Sequence, residues 1–503
     1  MATRKIVGIE TEYGIVLRGS DDSNPIAASS MLINAYLSSV DRERANLTTR
    51  VGWDFEDESP GNDARGFMHG EGSLAPEIET HLVNAVLTNG ARYYVDHAHP
   101  ELSTPECGDA RSVVRYDRAA ELILRRSMDA AREMLPPGQE IVVYKNNSDG
   151  KGNSYGCHEN YLMDRTVPFG RIVTHITPHF LTRQIFAGAG KVGSEAPGVG
   201  IDEVPFQLSQ RADFFEEEVG LETTLKRPIV NTRDEPHADA QKYRRLHVII
   251  GDANLAQLAT FLKVGTTAIV LAMIEDAALD REIRFATPVA SLRHISYDRS
   301  LRRTHELVDG TRVTALEVQW HLLEAAQAYA AGHGLDVVGD EVGKEVLARW
   351  EEVLTDLEAD PMRLADRLDW PAKLSLMERY RDRDDLEWGD PRLAALDLQY
   401  HDLRADRSLS ERLGLETLVA DDDAITAIDD PPDDTRAFFR GRCLQRWPES
   451  IVAANWDSIV FDVGEDPLRR VPMMEPSRGT RAHVGSLLES CSTPAELLEQ
   501  LGS

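Results

Sequence analysis

The sequence predicts an α+β fold whose sheet is largely antiparallel. Strand-like and helical segments do not alternate as regular βαβ units along the 503 residues, as they would around a parallel sheet. Strand-like runs concentrate in the first half of the chain, whereas helical patterns dominate from about 254 to 418. No repeat of fixed period is visible, so the chain is not predicted to form a repeat array.

The first half of the chain mixes strands with helices. KIVGIETEYGIVL (5–17) predicts a strand and NPIAASSMLINAYLSSV (24–40) a helix. RYYVD (92–96) predicts a strand, because aromatic and β-branched residues favour one. An amphipathic helix is predicted over 115–135. Four further runs are interpreted as strands or strand edges: QEIVVYKNNS, SYGCHENYLMD, PFGRIVTHITP and RLHVIIGDAN.

Two polar stretches interrupt this pattern. Residues 42–80 contain Gly, Pro and many acidic residues without a clear period, which predicts a long loop, and such loops are usually functional or disordered. ADDDAITAIDDPPDD (420–434) is typical of a linker. We therefore expect a large domain over 1–425 and a small C-terminal domain over 430–503, in which a helix precedes a strand.

Composition excludes several classes of protein. The formal net charge of −30, from 85 acidic and 55 basic residues, would repel polyanions and anionic membranes, so neither nucleic acid nor a membrane is expected as a partner. The four cysteines form no CxxC pair, which argues against a zinc ribbon or a disulfide framework. The apolar run at 258–274 is interrupted by Lys263 and Gly265 and predicts a core helix. With no apolar signal region at the N-terminus, we expect a soluble, cytoplasmic protein.

Four strand-like segments carry potential ligands at positions i and i+2. The pairs are Glu10 with Glu12, Tyr94 with Asp96, His158 with Asn160, and Arg245 with His247. Period-two spacing places each pair on one face of its strand. Carboxylates suit Mg²⁺, which usually bridges to phosphates, and an arginine binds a phosphate through two hydrogen bonds. If these strands are neighbours, the sequence predicts a nucleotide site on one face of the sheet.

Each of these residues could also have a purely structural role. A solvated sheet face also alternates polar residues, although Thr, Lys, Ser and Gln are commoner there than Glu and His. Repetition in four segments favours the functional interpretation. Arg211 and Arg233 lie in polar segments and could bind an anionic substrate group or form structural salt bridges. Trp456 could be a core aromatic or a stacking partner for adenine.

Several stretches closely resemble the carboxylate–amine ligase-like enzymes of pupylation. They are GIETEYGI, LTNGARYYVDHAHPE, YKNNSDGKGNSYGCHENYL, LETTLKRPIVNTRDEPHADA and RRLHVIIGDANL, with further likeness in DTRAFFRG and NWDSIVFD. The matching blocks run from residue 5 to about 255 and recur near the C-terminus, so the resemblance covers nearly the whole chain. It implies a glutamine-synthetase-like catalytic domain over 1–425, with a curved, largely antiparallel sheet packed by helices.

That family has two branches. One branch ligates the small protein Pup to lysines, and the other removes Pup from proteins and converts its C-terminal Gln to Glu. The loop at 42–80 and HAHPE directly after Asp96 resemble the second branch. The resemblance therefore implies hydrolysis of the side-chain amide of Pup's C-terminal Gln and of the Pup–lysine isopeptide bond. Pup and pupylated proteins would be its partners, the protein would be a monomer, and ligation is the alternative.

The resemblance also implies roles for individual residues. Asp96 would be the catalytic carboxylate, either as nucleophile or as general base. Arg211 and Arg233 would hold the acidic C-terminus of Pup. The implied Mg²⁺ ligands are Glu10, Tyr94, Glu101, His158 and His247. The implied ATP contacts are Gly8, Ile9, Glu10, Thr11, Glu12, Arg92, Leu102, Ser103, Thr104, Pro105, Asn160, Arg245 and Trp456.

Two details bear on these roles. Leu102 departs from the aromatic residue expected after HPE, so a main-chain contact to the nucleotide is the form that we expect there. A nucleotide-binding regulator without turnover would lack Asp96 or the metal ligands, and all of them are present.

Overall fold

A single large sheet runs through the protein. The computed structural model describes residues 1–20, 24–43, 51–55, 58, 60–66 and 83–502. Within these residues, every pairing in the ten-stranded sheet is antiparallel except that of β3 with β16, which confirms the largely antiparallel prediction. In order across the sheet, the strands are β13 (Tyr243–Val248), β8 (Cys157–Asp164), β1 (Val7–Glu12), β6 (His99–Ser103), β5 (Arg92–Asp96), β4 (Asn84–Val86), β3 (Gly52–Trp53), β16 (Ile451–Ala454), β17 (Ser458–Phe461) and β18 (Arg469–Pro472).

Short two-stranded ribbons flank this sheet. The predicted strand at 5–17 is in fact two strands, because the chain leaves the large sheet at the fully buried Tyr13 and its second half joins a ribbon. The ribbons pair β2 (Gly14–Arg18) with β7 (Glu140–Tyr144), β9 (Lys191–Val192) with β10 (Phe206–Gln207), β11 (Phe215–Gly220) with β12 (Arg227–Asn231), and β14 (His305–Glu306) with β15 (Arg312–Val313).

Helices cover the apolar side of the sheet and dominate the segment after it. In chain order they are α1 (Pro25–Glu43), α2 (Ala110–Met134), α3 (Phe169–Thr182), α4 (Gln184–Ala187), α5 (Gln257–Glu275), α6 (Pro288–Tyr297), α7 (Ala315–His333), α8 (Asp340–Ala359), α9 (Asp369–Asp384), α10 (Pro391–Tyr400), α11 (Leu409–Leu413), α12 (Asp421–Thr426), α13 (Ala437–Arg446), α14 (Arg481–Ser490) and α15 (Pro494–Gly502). The α+β class is confirmed.

Local signals explain the limits of several helices. Asp109 caps α2, because its carboxylate accepts a hydrogen bond of 2.8 Å from the amide of Ser112. Thr314 and Glu317 form a reciprocal capping box at the start of α7. The apolar helix α5 has a mean hydropathy of 1.6, which would suit a membrane span by length and composition, but 94% of that window is buried inside the protein. The prediction of a core helix is confirmed.

One predicted strand is wrong. PFGRIVTHITP belongs to α3, which continues to Thr182 even though Pro178 lies inside it. Its buried Ile172, Ile176 and Phe180 recur at four-residue spacing, which is the period of a helix face. Val, Ile and Thr favoured a strand locally, but burial of this face against α5 and α7 outweighs that preference.

The predicted loop at 42–80 lies largely outside the described residues. Its described part includes β3, a strand that the sequence pattern did not predict. This short strand pairs in parallel with β16 through Gly52 with Ala453 and Trp53 with Ala454, so it connects the C-terminal strands to the rest of the sheet. The sequence around β3 could not predict this pairing, because the partner strand lies four hundred residues away along the chain.

The proposed division at 425–430 remains a prediction. Residues from α13 onward build a second hydrophobic cluster, which also takes in Val51, Trp53 and Val86 from the first part of the chain. The expected linker contains the short helix α12, whose Ala424 is buried. The C-terminal part therefore has its own core, but its strands extend the large sheet.

Candidate active site

Five adjacent strands bring the predicted pairs onto one face of the sheet, which we call the polar face. In β1 the buried positions alternate with Gly8, Glu10 and Glu12, which point away from the core. Register places Glu10 opposite His158 and Glu12 opposite Glu101. The four i, i+2 pairs predicted from spacing therefore lie side by side.

The first potential ligand group on this face consists of Glu10, His158 and His247, whose donor atoms lie within 4.8 Å of one another. Asn160 holds the group together, because its amide donates to Glu10 at 2.8 Å and its carbonyl oxygen lies 3.0 Å from Nδ1 of His247. Nε2 of His247 is buried and has no hydrogen-bond partner among the described residues. Such an orphaned nitrogen fits a metal ligand.

Electrostatics keep this first group ready to bind a cation. Burial alone would raise the pKa of the Glu10 carboxyl, but the neighbouring His158 and the positive charge of Arg245 hold it well below its ordinary value. Burial, reinforced by Arg245, lowers the pKa of His247 well below its ordinary value. At neutral pH Glu10 is therefore ionised and His247 is neutral, the states in which both can donate electron pairs.

The second group consists of Glu12, Asp96 and Glu101, with oxygens again within 4.8 Å of one another. Burial and the charges of Asp96 and Glu12 raise the pKa of Glu101 well above its ordinary value. Burial would raise the pKa of Asp96 as well, but His97, with Nδ1 3.0 Å from Oδ2, lowers it overall. Asp96 is thus the ionised member of the pair that it forms with Glu101.

Asp96 is also the most accessible carboxylate of this group. Its side chain is 30% exposed, against 12% for that of Glu12, and Glu101 is buried. Tyr94, predicted as a metal ligand, lies beside Glu101, and burial together with the Glu101 charge raises the pKa of its phenol well above the ordinary value. Tyr94 therefore presents a neutral hydroxyl. Glu12 was predicted only as an ATP contact, but the structure places it in the carboxylate group with Asp96 and Glu101.

Glycine at position 156 leaves room for the side chains of the two groups. A β-carbon there would lie 2.4 Å from Nε2 of His158 and 2.9 Å from Oε1 of Glu12. The amide of Gly156 instead donates to Glu12 at 3.0 Å. Sequence reasoning missed this role of Gly156.

Sequence reasoning also missed His99, whose Nδ1 lies 3.5 Å from Oε2 of Glu12. The i+2 spacing of His99 from Glu101 and its place in HAHPE were the signals that could have identified it.

A cleft opens next to the first group, and its empty space, including the part open to solvent, is about 560 Å³. Its walls combine apolar surface from Ile6, Leu162 and Pro236 with two arginines, Arg245 and Arg436. Eight of the thirteen predicted ATP contacts line it: Gly8, Ile9, Glu10, Ser103, Thr104, Asn160, Arg245 and Trp456.

The other predicted ATP contacts lie elsewhere. The side chains of Thr11 and Leu102 are buried on the core face of the sheet, since the parity of their strands points them away from the cleft, and only their main chain could meet a nucleotide. The Arg92 guanidinium stacks between the rings of Trp53 and Tyr94 at 4.0 and 3.9 Å. Pro105 and Glu12 are absent from the lining of the cleft that the structure describes.

Glu106 ties this cleft to the C-terminal residues. Its carboxylate accepts hydrogen bonds from Arg440 and, at 2.7 Å, from Arg436. Although burial opposes ionisation, these two arginines lower the pKa of Glu106 to about 2. Sequence reasoning missed the three residues, because partners separated by more than three hundred positions leave no spacing pattern.

The two arginines predicted to bind substrate differ in their surroundings. Arg211 is 1% exposed, and its guanidinium donates to main-chain oxygens of Ile249 and Gly251 rather than to a carboxylate of the described chain. Arg233 is half-buried, and its Nε is buried without a hydrogen-bond partner among the described residues. Neither forms the structural salt bridge considered as an alternative, within the part of the chain that the structure describes.

The residues present fit both groups that the resemblance implies. An all-oxygen set such as Glu12, Asp96 and Glu101 matches the preference of Mg²⁺, and the orphaned His247 nitrogen suits a second ion. The cleft suits a nucleotide, because its arginines would contact the phosphates and its apolar wall would contact the base.

Comparison with known proteins gives a consistent picture. The family model described as "Pup-ligase protein" matches residues 5–460. The depupylase of Acidothermus cellulolyticus is 53% identical and the Pup deamidase/depupylase of Mycolicibacterium smegmatis 48% identical, each over 99% of both chains. A Pup–protein ligase of Kineococcus radiotolerans is 39% identical over 81% of this chain and 90% of its own length.

Two solved structures resemble this fold. The ligase PafA in its complex with Pup has a TM-score of 0.79 at 31% identity and covers 99% of this chain and 94% of its own. PafA in complex with ADP has a TM-score of 0.72 at 34% identity, covering 81% and 89%.

Proposed function

This chain belongs to the Pup-ligase protein family, and we propose that within it the chain is a hydrolase rather than a ligase. Its reaction would convert the C-terminal Gln of Pup to Glu and cleave the isopeptide bond between Pup and a lysine. One observation carries this proposal: the chain matches a depupylase and a Pup deamidase/depupylase over 99% of its length, at higher identity than a ligase.

The proposed chemistry takes place at the side-chain carbonyl of Pup's terminal residue. Asp96 is ionised and exposed enough to reach a substrate, so it either attacks that carbonyl or takes a proton from an attacking water. His97, in contact with Asp96, holds that carboxylate in its ionised form. Proximity of Asp96 to the carbonyl carbon then supplies the orientation that a weak nucleophile requires.

ATP and Mg²⁺ are the proposed cofactors. Glu12 and Glu101 in one group, and Glu10, His158 and His247 in the other, would hold the ions, and the cleft beside Arg245 and Arg436 would hold the nucleotide. A bound Mg²⁺ would supply positive charge where an oxyanion develops. Support for the nucleotide comes from the ADP complex of PafA, which shares the fold.

The direct test supplies purified protein with Mg-ATP and Pup ending in Gln and reads the product by intact mass. The expected result is a gain of about one dalton in Pup without matching release of ADP, because hydrolysis replaces an amide nitrogen with oxygen. Formation of a conjugate with ADP release, once Pup ending in Glu and a lysine-bearing protein are supplied, would instead identify the ligase.

We further propose that the protein works as a cytoplasmic monomer with Pup and pupylated proteins as partners. Its four cysteines are buried and unpaired, which suits a reducing compartment. Light scattering of the purified protein would check the monomer, and a mass of two chains would contradict it.

A further inference from the structure

The turn between β5 and β6 places a histidine in an unfavourable backbone conformation. Asp96 pairs with His99, so only His97 and Ala98 connect the two strands. The favoured two-residue turns need a positive φ at their first residue, a position that glycine usually takes. His97 occupies it with a φ of 51°, in the left-handed region that a β-carbon disfavours. A histidine kept in such a conformation points to a function of its side chain.

The turn is held firmly to its surroundings. Oγ of Ser29 in α1 donates a hydrogen bond of 2.9 Å to the carbonyl oxygen of Ala98. On the strand that enters the turn, the amide of Val95 donates to the carbonyl oxygen of Val83 at 3.1 Å. The imidazole of His97 is therefore carried on anchored backbone, although 57% of its side chain is exposed.

The side chain of His97 reaches the proposed catalytic carboxylate. Its Nδ1 lies 3.0 Å from Oδ2 of Asp96, and the two groups form a hydrogen bond. An oxygen of Asp96 also lies within 4.8 Å of an oxygen of Glu12, and two carboxylates at this distance repel each other. Because the Asp96 side chain is 30% exposed, that repulsion would turn it toward solvent. A charge-assisted hydrogen bond from His97 opposes this rotation.

We propose that His97 is a positioning residue, which donates a hydrogen bond from Nδ1 and holds the Asp96 carboxylate in the orientation from which it reaches the side-chain carbonyl of Pup's terminal residue or the attacking water. This inference rests on the proposed function. Orientation matters here because a carboxylate is a weak nucleophile that depends on alignment with the carbonyl. The left-handed conformation of His97 is the means by which a short turn brings an imidazole beside Asp96.

Three substitutions separate the hydrogen bond from other roles of this residue. His97→Gly suits the turn best and removes the ring, whereas His97→Phe keeps a ring and removes the donor. His97→Asn tolerates the left-handed conformation and keeps an amide donor. The deamidation of Pup ending in Gln is measured for each variant at saturating Mg-ATP, together with the affinity for ATP.

We expect kcat of His97→Gly and of His97→Phe to fall by about tenfold to a hundredfold, the factor that a charge-assisted hydrogen bond commonly supplies. His97→Asn should keep part of the activity that the other two lose. KM for Pup should stay close to the wild-type value, because the hydrogen bond orients a reacting group and does not bind substrate. ATP affinity should also persist, since His97 is not among the described residues that line the nucleotide cleft.

Asp385→Gly is the matched control. Asp385 follows α9, is exposed and also has a φ of 51°, so this change introduces glycine at a second left-handed position and should leave kcat unchanged. Wild-type kcat in His97→Gly or in His97→Phe would overturn the inference, because the turn or the ring would then suffice. If His97→Gly does not fold, His97→Phe and His97→Asn still decide, and equal kcat values in these two would contradict a role for the donor.

Crystal structures separate this inference from the proposed function, because they report the orientation of Asp96 without turnover. We expect one orientation beside His97 in wild type and more than one in His97→Gly. Hydrolysis by wild type with an undiminished kcat in His97→Gly would refute only the role of His97. Absence of hydrolysis by wild type, with Asp96 reoriented in His97→Gly, would refute only the hydrolase.

Discussion

Asp96 stands out among the carboxylates of the polar face because it is both ionised and accessible. Asp96→Asn keeps the shape and removes the charge, so we expect hydrolysis of Pup ending in Gln to fall by roughly a thousandfold or more. ATP binding should largely persist, since Asp96 does not line the nucleotide cleft. Single-turnover assays and nucleotide titration measure the two effects, and near wild-type turnover would remove Asp96 from the mechanism.

Glu101 illustrates a conflict between stability and ion binding. Burial beside Asp96 and Glu12 raises its folded-state pKa, so ionising it costs stability once the pH exceeds the ordinary glutamate value. Glu101→Gln removes that cost, and we expect the metal-free variant to melt a few degrees above wild type at pH 8. The gain should shrink toward pH 5, where the unfolded chain begins to keep its proton.

The same variant should lose its response to the ion. Adding Mg-ATP should raise the melting temperature of wild type but shift that of Glu101→Gln much less, because one charged oxygen ligand is missing. Thermal unfolding with and without Mg-ATP measures both effects. Lower stability of the metal-free variant at pH 8, or a full response to Mg-ATP, would show that Glu101 has another role.

At the scale of elements, the entry into β8 controls the spacing of the two ligand groups. In Gly156→Ala the new methyl group would meet His158 and Glu12 at under 3 Å. We expect the variant to fold, since the atoms that the methyl group meets are the ends of two side chains that can shift, but to bind Mg-ATP at least tenfold more weakly, roughly the loss of one good ligand contact. Calorimetric titration measures the affinity. Gly200→Ala, at an exposed glycine between β9 and β10 where a β-carbon meets nothing within 4 Å and φ lies outside the left-handed region, is the matched control for a glycine change.

The link between β6 and α13 depends on one carboxylate. Because Arg440 and Arg436 hold the folded-state pKa of Glu106 at about 2, its stabilisation is present above the ordinary value of 4.5 and is lost as the pH falls toward 2. Glu106→Gln should therefore cost about 3 kcal/mol of unfolding free energy at pH 7 and progressively less toward pH 3. Denaturant unfolding measures this difference. Glu449→Gln, at an exposed glutamate of the C-terminal part, is the control, and it should leave the free energy of unfolding nearly unchanged at both pH 7 and pH 3.

At the scale of the whole molecule, the cleft belongs to both ends of the chain. Gly8 and Thr104 form one wall, and Arg436 and Trp456 form another. A fragment ending at residue 428 should therefore lose nucleotide binding and aggregate, since the second hydrophobic cluster would expose Val51, Trp53 and Val86 to water. Nucleotide titration of the fragment tests this, and undiminished affinity would support an independent 1–425 domain.

The sequence by itself determined the residues that face the site. Strand parity is local, so the i, i+2 spacing of Glu10 with Glu12 and of Tyr94 with Asp96 was enough to put each pair on one face. The sequence also predicted the buried helix α5, because the length and apolar content of this run allow few other structures. The likeness of whole motifs added the family and the expected roles.

Only the tertiary structure decided which of these residues meet. Antiparallel register carried Glu12 to Glu101, and burial against neighbouring helices turned the strand-like PFGRIVTHITP into α3. Ser154 likewise accepts hydrogen bonds from Arg211 and Arg227, which lie in distant segments of the chain. Parity and periodicity depend on the few neighbours of each residue, whereas register, partnership and burial depend on the whole chain folding at once, which is why no spacing in the sequence revealed them.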